Sequence, residues 1–211
     1  MSRNLNKLEV IDSVIRENAL EALKILVKEG IDVNSVCCGA PQLLRALIHN
    51  GTNETSDFLI KSGATIMVED HDELAEFFEN IPFDEAVELG LDLLFKDRNG
   101  KTYLHDACYW NNLDIVEFIL KSEHKNRLIN DKDNEGKTPL LYHTSHLSPP
   151  FNMTLFNTLL KAGADINAQD NEGNTSLLLA CLHNKETIVD ALIDHNADVN
   201  ICDKNGLVDL F

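Results

Sequence analysis

The sequence predicts an all-α solenoid of paired antiparallel helices joined by short β-hairpin loops. Three observations carry the prediction. A nine-residue motif recurs as "DRNGKTYLH" from Asp97, "DNEGKTPLL" from Asp133, "DNEGNTSLL" from Asp170 and "DKNGLVDLF" from Asp203, at spacings of 33 to 37 residues. A period of this size marks repeat architectures. Each opening is followed by two helical patterns, and a helix-stopping Gly or Asn recurs after the second.

The unit opening at Asp170 justifies each element. The Asp-Asn-Glu-Gly run supplies turn chemistry. The first helical pattern, "TSLLLACLHN", is short and apolar, and Thr175 is placed to cap it by accepting from the orphan N–H groups of its first turn. The second pattern, "KETIVDALIDHNADVN", carries Ile188, Val189, Leu192 and Ile193 on one face. Asn196 ends it, because Asn tolerates the left-handed conformation needed there. Gly163, Gly63 and Gly30 hold the same stop position in "LLKAGADINAQD", "FLIKSGATIM" and "ILVKEGIDVNS". "QLLRALIHNGTNETSDFLI" (42–60) and "NGKTYLHDACYWNNLDIVEFIL" (99–120) read as helix–turn–helix. The units run over about 4–34, 35–67, 68–96, 97–132, 133–169 and 170–202, with a partial unit at 203–211, and form a single domain over 1–211.

These segments resemble the ankyrin repeat, whose signature is GxTPLHxA…IVxxLLxxGADVN. "EGKTPLL", "GKTYLHDA" with "DIVEFIL", and "LLKAGADINAQDNEGNTSLLLA" carry the likeness, which extends over essentially the whole chain. The first unit lacks the TPLH box and reads as an N-terminal cap, since a terminal repeat has one face in water. The third, "VEDHDELAEFFENIPFDEAVELGLDLLF", also lacks it and has Pro82 between its helical patterns. The fourth has "SEHKNRLIN" where "xxGADVN" belongs, so a longer hairpin entry is expected. The fifth inserts "HTSHLSPPFN", where Pro149 and Pro150 exclude helix and push the connection out as a loop.

One such unit cannot bury its apolar face alone, and stacking makes the core continuous. Leu104, Ala107, Ile115, Val116, Ile119 and Leu120 read as core in the fourth unit, and Leu177, Ala180, Ile188, Val189 and Leu192 in the sixth.

Composition narrows the function classes. Lys and Arg number 18 against 35 Asp and Glu, a formal net charge of −17. That charge repels nucleic acid and anionic membranes, and it either favours a partner with a basic segment or serves solubility alone. No apolar run is long enough to span a bilayer, and no signal-peptide pattern opens the chain. Cys37, Cys38, Cys108, Cys181 and Cys202 are scattered, which fits free thiols in a reducing cytoplasmic or nuclear compartment. The glycosylation sequons at Asn53, Asn152 and Asn174 are then chance matches.

Catalytic and metal constellations are weak. "DKDNEG" at 131–136 opens like a calcium loop, but its twelfth position is Tyr142 rather than a bidentate Glu, and the repeat turn explains it better. His143 and His146 lack a third zinc ligand. G-x-S-x-G, P-loop and G-x-G-x-x-G patterns do not occur. No enzymatic activity, cofactor or metal is expected.

The resemblance implies that a partner meets the hairpin tips and the ends of the first helices. The tips are Arg98, Asn99 and Lys101, then Asn134, Glu135 and Lys137, then Asn171, Glu172 and Asn174. The helix ends are His49 and Asn50, Tyr109 and Trp110, His146, and Leu182 and His183. Trp110 is the only tryptophan and stands where the repeat leaves the residue free to vary. It either packs on the fifth unit's loop or meets the partner, a role for which Trp and Tyr are suited. Between Ser62 and Phe95 there is no Lys or Arg, while Glu73, Glu76 and Glu79 are among ten carboxylates. That span is either a solvated face or a surface that steers a basic partner. Asn167 and Asn200, each with a Leu eight residues upstream, resemble sites accepted by an asparagine hydroxylase; as hairpin residues they are also placed to bond the backbone.

The function expected is that of an interaction module, monomeric on its own, acting as adaptor, scaffold or inhibitor through its concave face. The alternatives are a virus- or pathogen-encoded protein that sequesters a host regulator, and a subunit of a kinase or ubiquitin-ligase complex.

Overall fold

The computed structural model describes residues 7–37, 40–43, 46–47, 53–65, 82–88, 91–145 and 151–206. The chain divides into two compact units, Met1–Asp92 and Leu93–Phe211.

In the first unit, α1 (Lys7–Arg16) and α2 (Leu20–Lys28) pack as a pair. Asn18 turns the chain between them with φ 51°. Ile11, Ile15 and Leu23 are fully buried, and each is worth about 2–5 kcal/mol against truncation to Ala. A hairpin follows, with β1 (Val36–Cys37) antiparallel to β2 (Ala40–Pro41) and Val36 opposite Pro41. Residues 42–43 and 46–47 are helical, and Leu43, Ala46 and Leu47 are buried. Then comes α3 (Glu54–Lys61), which packs on α2. Asn53 caps it: its side-chain oxygen accepts from Thr55 N–H at 2.8 Å and Ser56 N–H at 3.1 Å. The last described helix of this unit, α4 (Phe83–Glu88), begins directly after Pro82 and carries Asp84, Glu85 and Glu88.

Among the described residues the second unit holds three helix pairs. The first is α5 (Tyr103–Tyr109) with α6 (Leu113–Lys121), extended by the short α7 (Lys125–Leu128). The second is α8 (Pro139–Ser145) with α9 (Met153–Ala162), and the third α10 (Ser176–Leu182) with α11 (Glu186–Asp194). The first helices form one layer, in which α8 packs against both α5 and α10; in the other layer α6 packs on α9. Small residues allow this approach, and Ala107 and Ala180 are 5% and 0% exposed. Of the residues read as core, Leu104, Val116, Ile119, Leu177, Ile188 and Leu192 are buried. Ile115, Leu120 and Val189 are only half-buried, at the flanks of the packed face.

The helix stops are as expected. Gly163 has φ 100° and Asn196 φ 62°. Thr175 accepts from Leu178 N–H at 3.1 Å. At "SEHKNRLIN" no Gly stop is present; the chain makes one more helical turn, α7, before Asn130 restores the hairpin register. The sequon residues Asn53 and Asn152 are both helix N-caps, and the Asn174 amide donates to Asp170 at 3.0 Å.

Candidate interaction face

The turns that open the repeats are built alike. Asp97 Oδ1 accepts from the N–H groups of Asn99 and Lys101 at 2.9 and 2.8 Å. Asp133 serves Glu135 and Lys137 at 2.9 and 2.8 Å, and Asp170 serves Glu172 and Asn174 at 2.9 Å each. Asp133 also accepts the Tyr142 hydroxyl at 2.7 Å. Of the carboxylates that mimic a calcium loop, Asp133 is therefore committed to the turn and to Tyr142, while Asp131 pairs with Lys96 at 2.7 Å and Glu135 with Lys137 at 2.8 Å.

The turns stack into a continuous ladder. Asn134 N–H donates to the Asn99 carbonyl at 2.9 Å, Asn171 N–H to the Glu135 carbonyl at 2.8 Å, and Lys204 N–H to the Glu172 carbonyl at 3.0 Å. The Asn134 and Asn171 amides reinforce it by donating to the Arg98 and Asn134 carbonyls at 3.0 and 2.9 Å. The ladder sets the spacing of the tips, so Arg98, Asn99, Glu135 and Glu172 form one exposed row. At the other edge, Asn130 accepts from Asp165 N–H and Asn167 from Asp198 N–H, each at 2.8 Å. The Asn200 amide donates to its own neighbour Asp198 at 3.0 Å, and its N–H also bonds that carboxylate, which holds Asp198 below its ordinary range.

Two buried histidines fix the helix layer that faces the tips. His105 Nδ1 accepts from Thr102 N–H at 3.0 Å, so Nε2 carries the proton and donates to the Lys137 carbonyl at 3.1 Å. This bond ties the fourth repeat to the fifth. His143 stands where the other first helices carry Ala107 and Ala180. Its ring stacks on Phe151 at 5.1 Å and its Nε2–H donates to the Asn152 carbonyl at 3.1 Å. Phe151 in turn meets Phe156 at 5.4 Å, which anchors the re-entry of the inserted segment. Burial lowers the pKa of both histidines, against the opposing pull of backbone carbonyls.

The exposed side of this layer is aromatic at one end. Trp110 caps the end of α5 and is 61% exposed, edge-on to Tyr109 with ring centroids 4.7 Å apart. Tyr109 meets Tyr142 at 6.1 Å. The Lys101 ammonium lies 5.3 Å from the centre of the Tyr142 ring, and Lys137 lies 5.8 Å from it, a cation–π pair of contacts that fixes the ring. Burial and the Asp133 carboxylate push the Tyr142 hydroxyl pKa well up, so it remains a proton donor. At the other end Leu182 is 53% exposed, and His183 Nδ1–H donates to the Leu179 carbonyl at 2.7 Å.

Between these ends runs a groove of about 640 Å³. Ser145, Leu179 and His183 line it on the helix side. Asn134, Glu135, Lys137, Asn171, Glu172 and Asn174 line it on the side of the turns.

The structure thus brings Arg98, Asn99, Lys101, Tyr109, Trp110 and His183 onto one face of the second unit. Asn167 belongs to the structural ladder and Asn200 lies beyond its last rung. His49, Asn50, Glu73, Glu76, Glu79 and His146 lie outside the described residues. Tyr142, Ser145 and Leu179 were not singled out from the sequence. The signal was in the register: Tyr109, Ser145 and Leu182 occupy one position of the repeat, and Asp106, Tyr142 and Leu179 another. Among the described residues no cluster of His, Cys, Asp and Glu is placed to hold a metal, and no helix is long and apolar enough to cross a membrane. Cys108, Cys181 and Cys202 are free thiols.

Comparison with known proteins agrees with the geometry. Two family models, both described as ankyrin repeats, match residues 83–170 and 159–210. Inversin of Homo sapiens is 28% identical over 188 residues, covering 84% of this chain and 17% of that protein. Ankyrin repeat protein nuc-2 of Neurospora crassa is 25% identical over 202 residues, covering 92% of this chain and 15% of that protein. Neurogenic locus notch homolog protein 1 of Xenopus laevis is 34% identical over 111 residues, covering 52% of this chain and 4% of that protein. The chain spans less than a fifth of the length of these curated relatives. Stacked D-x-x-G turns, paired helices and a His105 ring that accepts from Thr102 N–H and donates to the Lys137 carbonyl of the next repeat together make this chain an ankyrin-repeat solenoid, a member of the ankyrin-repeat family and of its protein-interaction modules.

Proposed function

We propose that the chain acts as an adaptor, scaffold or inhibitor that holds one protein partner on the face formed by its turns and first helices. Its work is binding, without chemistry on the partner. The observation that carries this reading is Trp110: a single tryptophan, 61% exposed, braced edge-on by Tyr109. A large aromatic held in one orientation loses little entropy on binding and supplies desolvated area, the usual makeup of a hot spot. The turns Arg98–Lys101 and Asn134–Lys137 flank it in a rigid frame, so a partner meets a preorganised surface. The acidic span with Glu73, Glu76 and Glu79 adds long-range attraction for a basic partner, an effect on association rate more than on affinity. The free thiols support a reducing compartment, and a monomer is the expected working form.

The test is a pull-down with the full chain as bait and mass spectrometry as readout, run in parallel with Trp110→Ala. A partner held by the parent and released by a variant of unchanged melting temperature supports the reading. A partner retained equally by both places the interface elsewhere.

A further inference from the structure

Building on that reading, we infer that the groove beside Ser145 seats an extended basic peptide segment of the partner, with one apolar side chain against Leu179 and a Lys or Arg at Glu172. Three observations lead to this occupant.

The first is shape. Along the first helices one repeat position reads Tyr109, Ser145, Leu182. The small Ser145 falls between two large residues, and the groove opens there, bounded by Leu179 and His183 on one side and the stacked turns on the other. The Ser145 carbonyl is held by Lys185 Nζ at 3.0 Å, so the end of α8 is fixed beneath it.

The second is charge. Among the described residues the groove is lined by the carboxylates of Glu135, Asp170 and Glu172 against one ammonium, that of Lys137. Lys137 is engaged by Glu135 at 2.8 Å and lies near the Tyr142 ring. Asp170 is spent on its turn, accepting from Glu172 N–H, Asn174 N–H and the Asn174 amide. Glu172 is exposed and, among the described residues, has no ion-pair partner. It is therefore the carboxylate in the groove that remains for a cation, on a chain whose formal net charge is −17.

The third is the chemistry of the lining. Among the described residues Leu179 is the only aliphatic side chain that lines it, whereas sites for small organic ligands are walled mostly by apolar groups. One apolar spot beside an unpaired carboxylate, on a polar ladder of fixed repeat, matches a peptide in which an apolar and a basic side chain lie close together.

A phage-displayed library of random linear peptides, panned against the immobilised full chain, tests this. The enriched peptides are then titrated by fluorescence polarisation against the parent, Ser145→Trp, Glu172→Lys and Trp110→Ala. The expected result is enrichment of a Lys or Arg close to an aliphatic or aromatic residue, with affinity lowered at least about tenfold by Ser145→Trp and by Glu172→Lys. The Glu172→Lys loss is expected to shrink as salt is raised. Glu172 is exposed, so that variant keeps the test valid if Ser145→Trp melts low. Enrichment of acidic or uncharged peptides, absence of enrichment, or affinities indifferent to both groove variants overturns the inference. Peptides weakened by Trp110→Ala alone would overturn the groove assignment while leaving the wider interaction face standing.

Discussion

Replacing Gly136 by Ala strikes the ladder of turns where it shapes the groove. Gly136 has φ +78°, and a Cβ there would lie 2.7 Å from Asn171 N and press on the Asn171 side-chain oxygen. Holding Ala in the left-handed region costs about 1–2 kcal/mol. The clash also displaces Asn171, whose N–H and amide donate to the Glu135 and Asn134 carbonyls at 2.8 and 2.9 Å. Each such bond contributes about 0.5–1.5 kcal/mol net. The loss expected for Gly136→Ala is therefore about 2–5 kcal/mol. Gly163→Ala is the control, because Gly163 has φ +100° but nothing within 4 Å of its Cβ, so only the backbone cost of about 1–2 kcal/mol applies. Urea unfolding followed by circular dichroism, with the slope unchanged between variants, measures both. Gly136→Ala is expected to exceed Gly163→Ala by about 1–3 kcal/mol. Equal losses would refute the claim that the packed turns, rather than local backbone preference, require glycine at the tip.

Other consequences follow from burial and titration. His143 has a folded-state pKa below the ordinary 6.5, so the unfolded chain takes up its proton first; its contribution to stability is complete above about pH 6.5 and is lost as pH falls through the folded value. His143→Asn is expected to be less stable at neutral pH but to lose less on acidification, as read by thermal melts across pH; parallel curves would count against it. Ala180→Leu, at a fully buried contact between first helices, is expected to overpack and cost about 1–3 kcal/mol in the same urea assay, and a neutral result would mean that the helices are not in contact there. Among the described thiols, burial pushes the Cys108 pKa up, so alkylation is expected at Cys202 first and at Cys108 only on unfolding, an order that peptide mapping reads directly.

The parts of this architecture legible in the sequence were those fixed by local chemistry. An Asp two and four residues before the N–H groups it accepts, followed by Gly, writes the turn in five residues, and Asp97, Asp133 and Asp170 behave alike. The Thr175 cap and the Gly163 and Asn196 stops are equally local. The left-handed Asn111 and Asn184, each between a first and a second helix, carried the same signal without being noticed. What was not legible depends on neighbours. The groove is lined from two repeats, by Ser145 and the turn at Asn134–Lys137 from one and by Leu179, His183 and the turn at Asp170–Asn174 from the next, and no single repeat shows that. His143 looked like half of a metal pair, yet its partners are Phe151 and the Asn152 carbonyl, the latter nine residues on. The short α7 arose where the missing Gly stop let the helix continue in a new direction, an outcome set by packing of Leu128 and Ile129 into the core.

Trp110, as the only tryptophan, reports on the central claim without any added probe. The partner recovered by pull-down is titrated into the full chain while the tryptophan emission and its quenching by acrylamide are followed, with a partner form whose own tryptophans are replaced. If the face of turns and first helices is the binding surface, the emission moves to the blue and quenching falls as the complex forms, and Trp110→Ala binds about 30-fold more weakly, the equivalent of about 2 kcal/mol. A saturated complex in which Trp110 stays as open to acrylamide as in the free chain, with Trp110→Ala binding as tightly as the parent, would contradict the account.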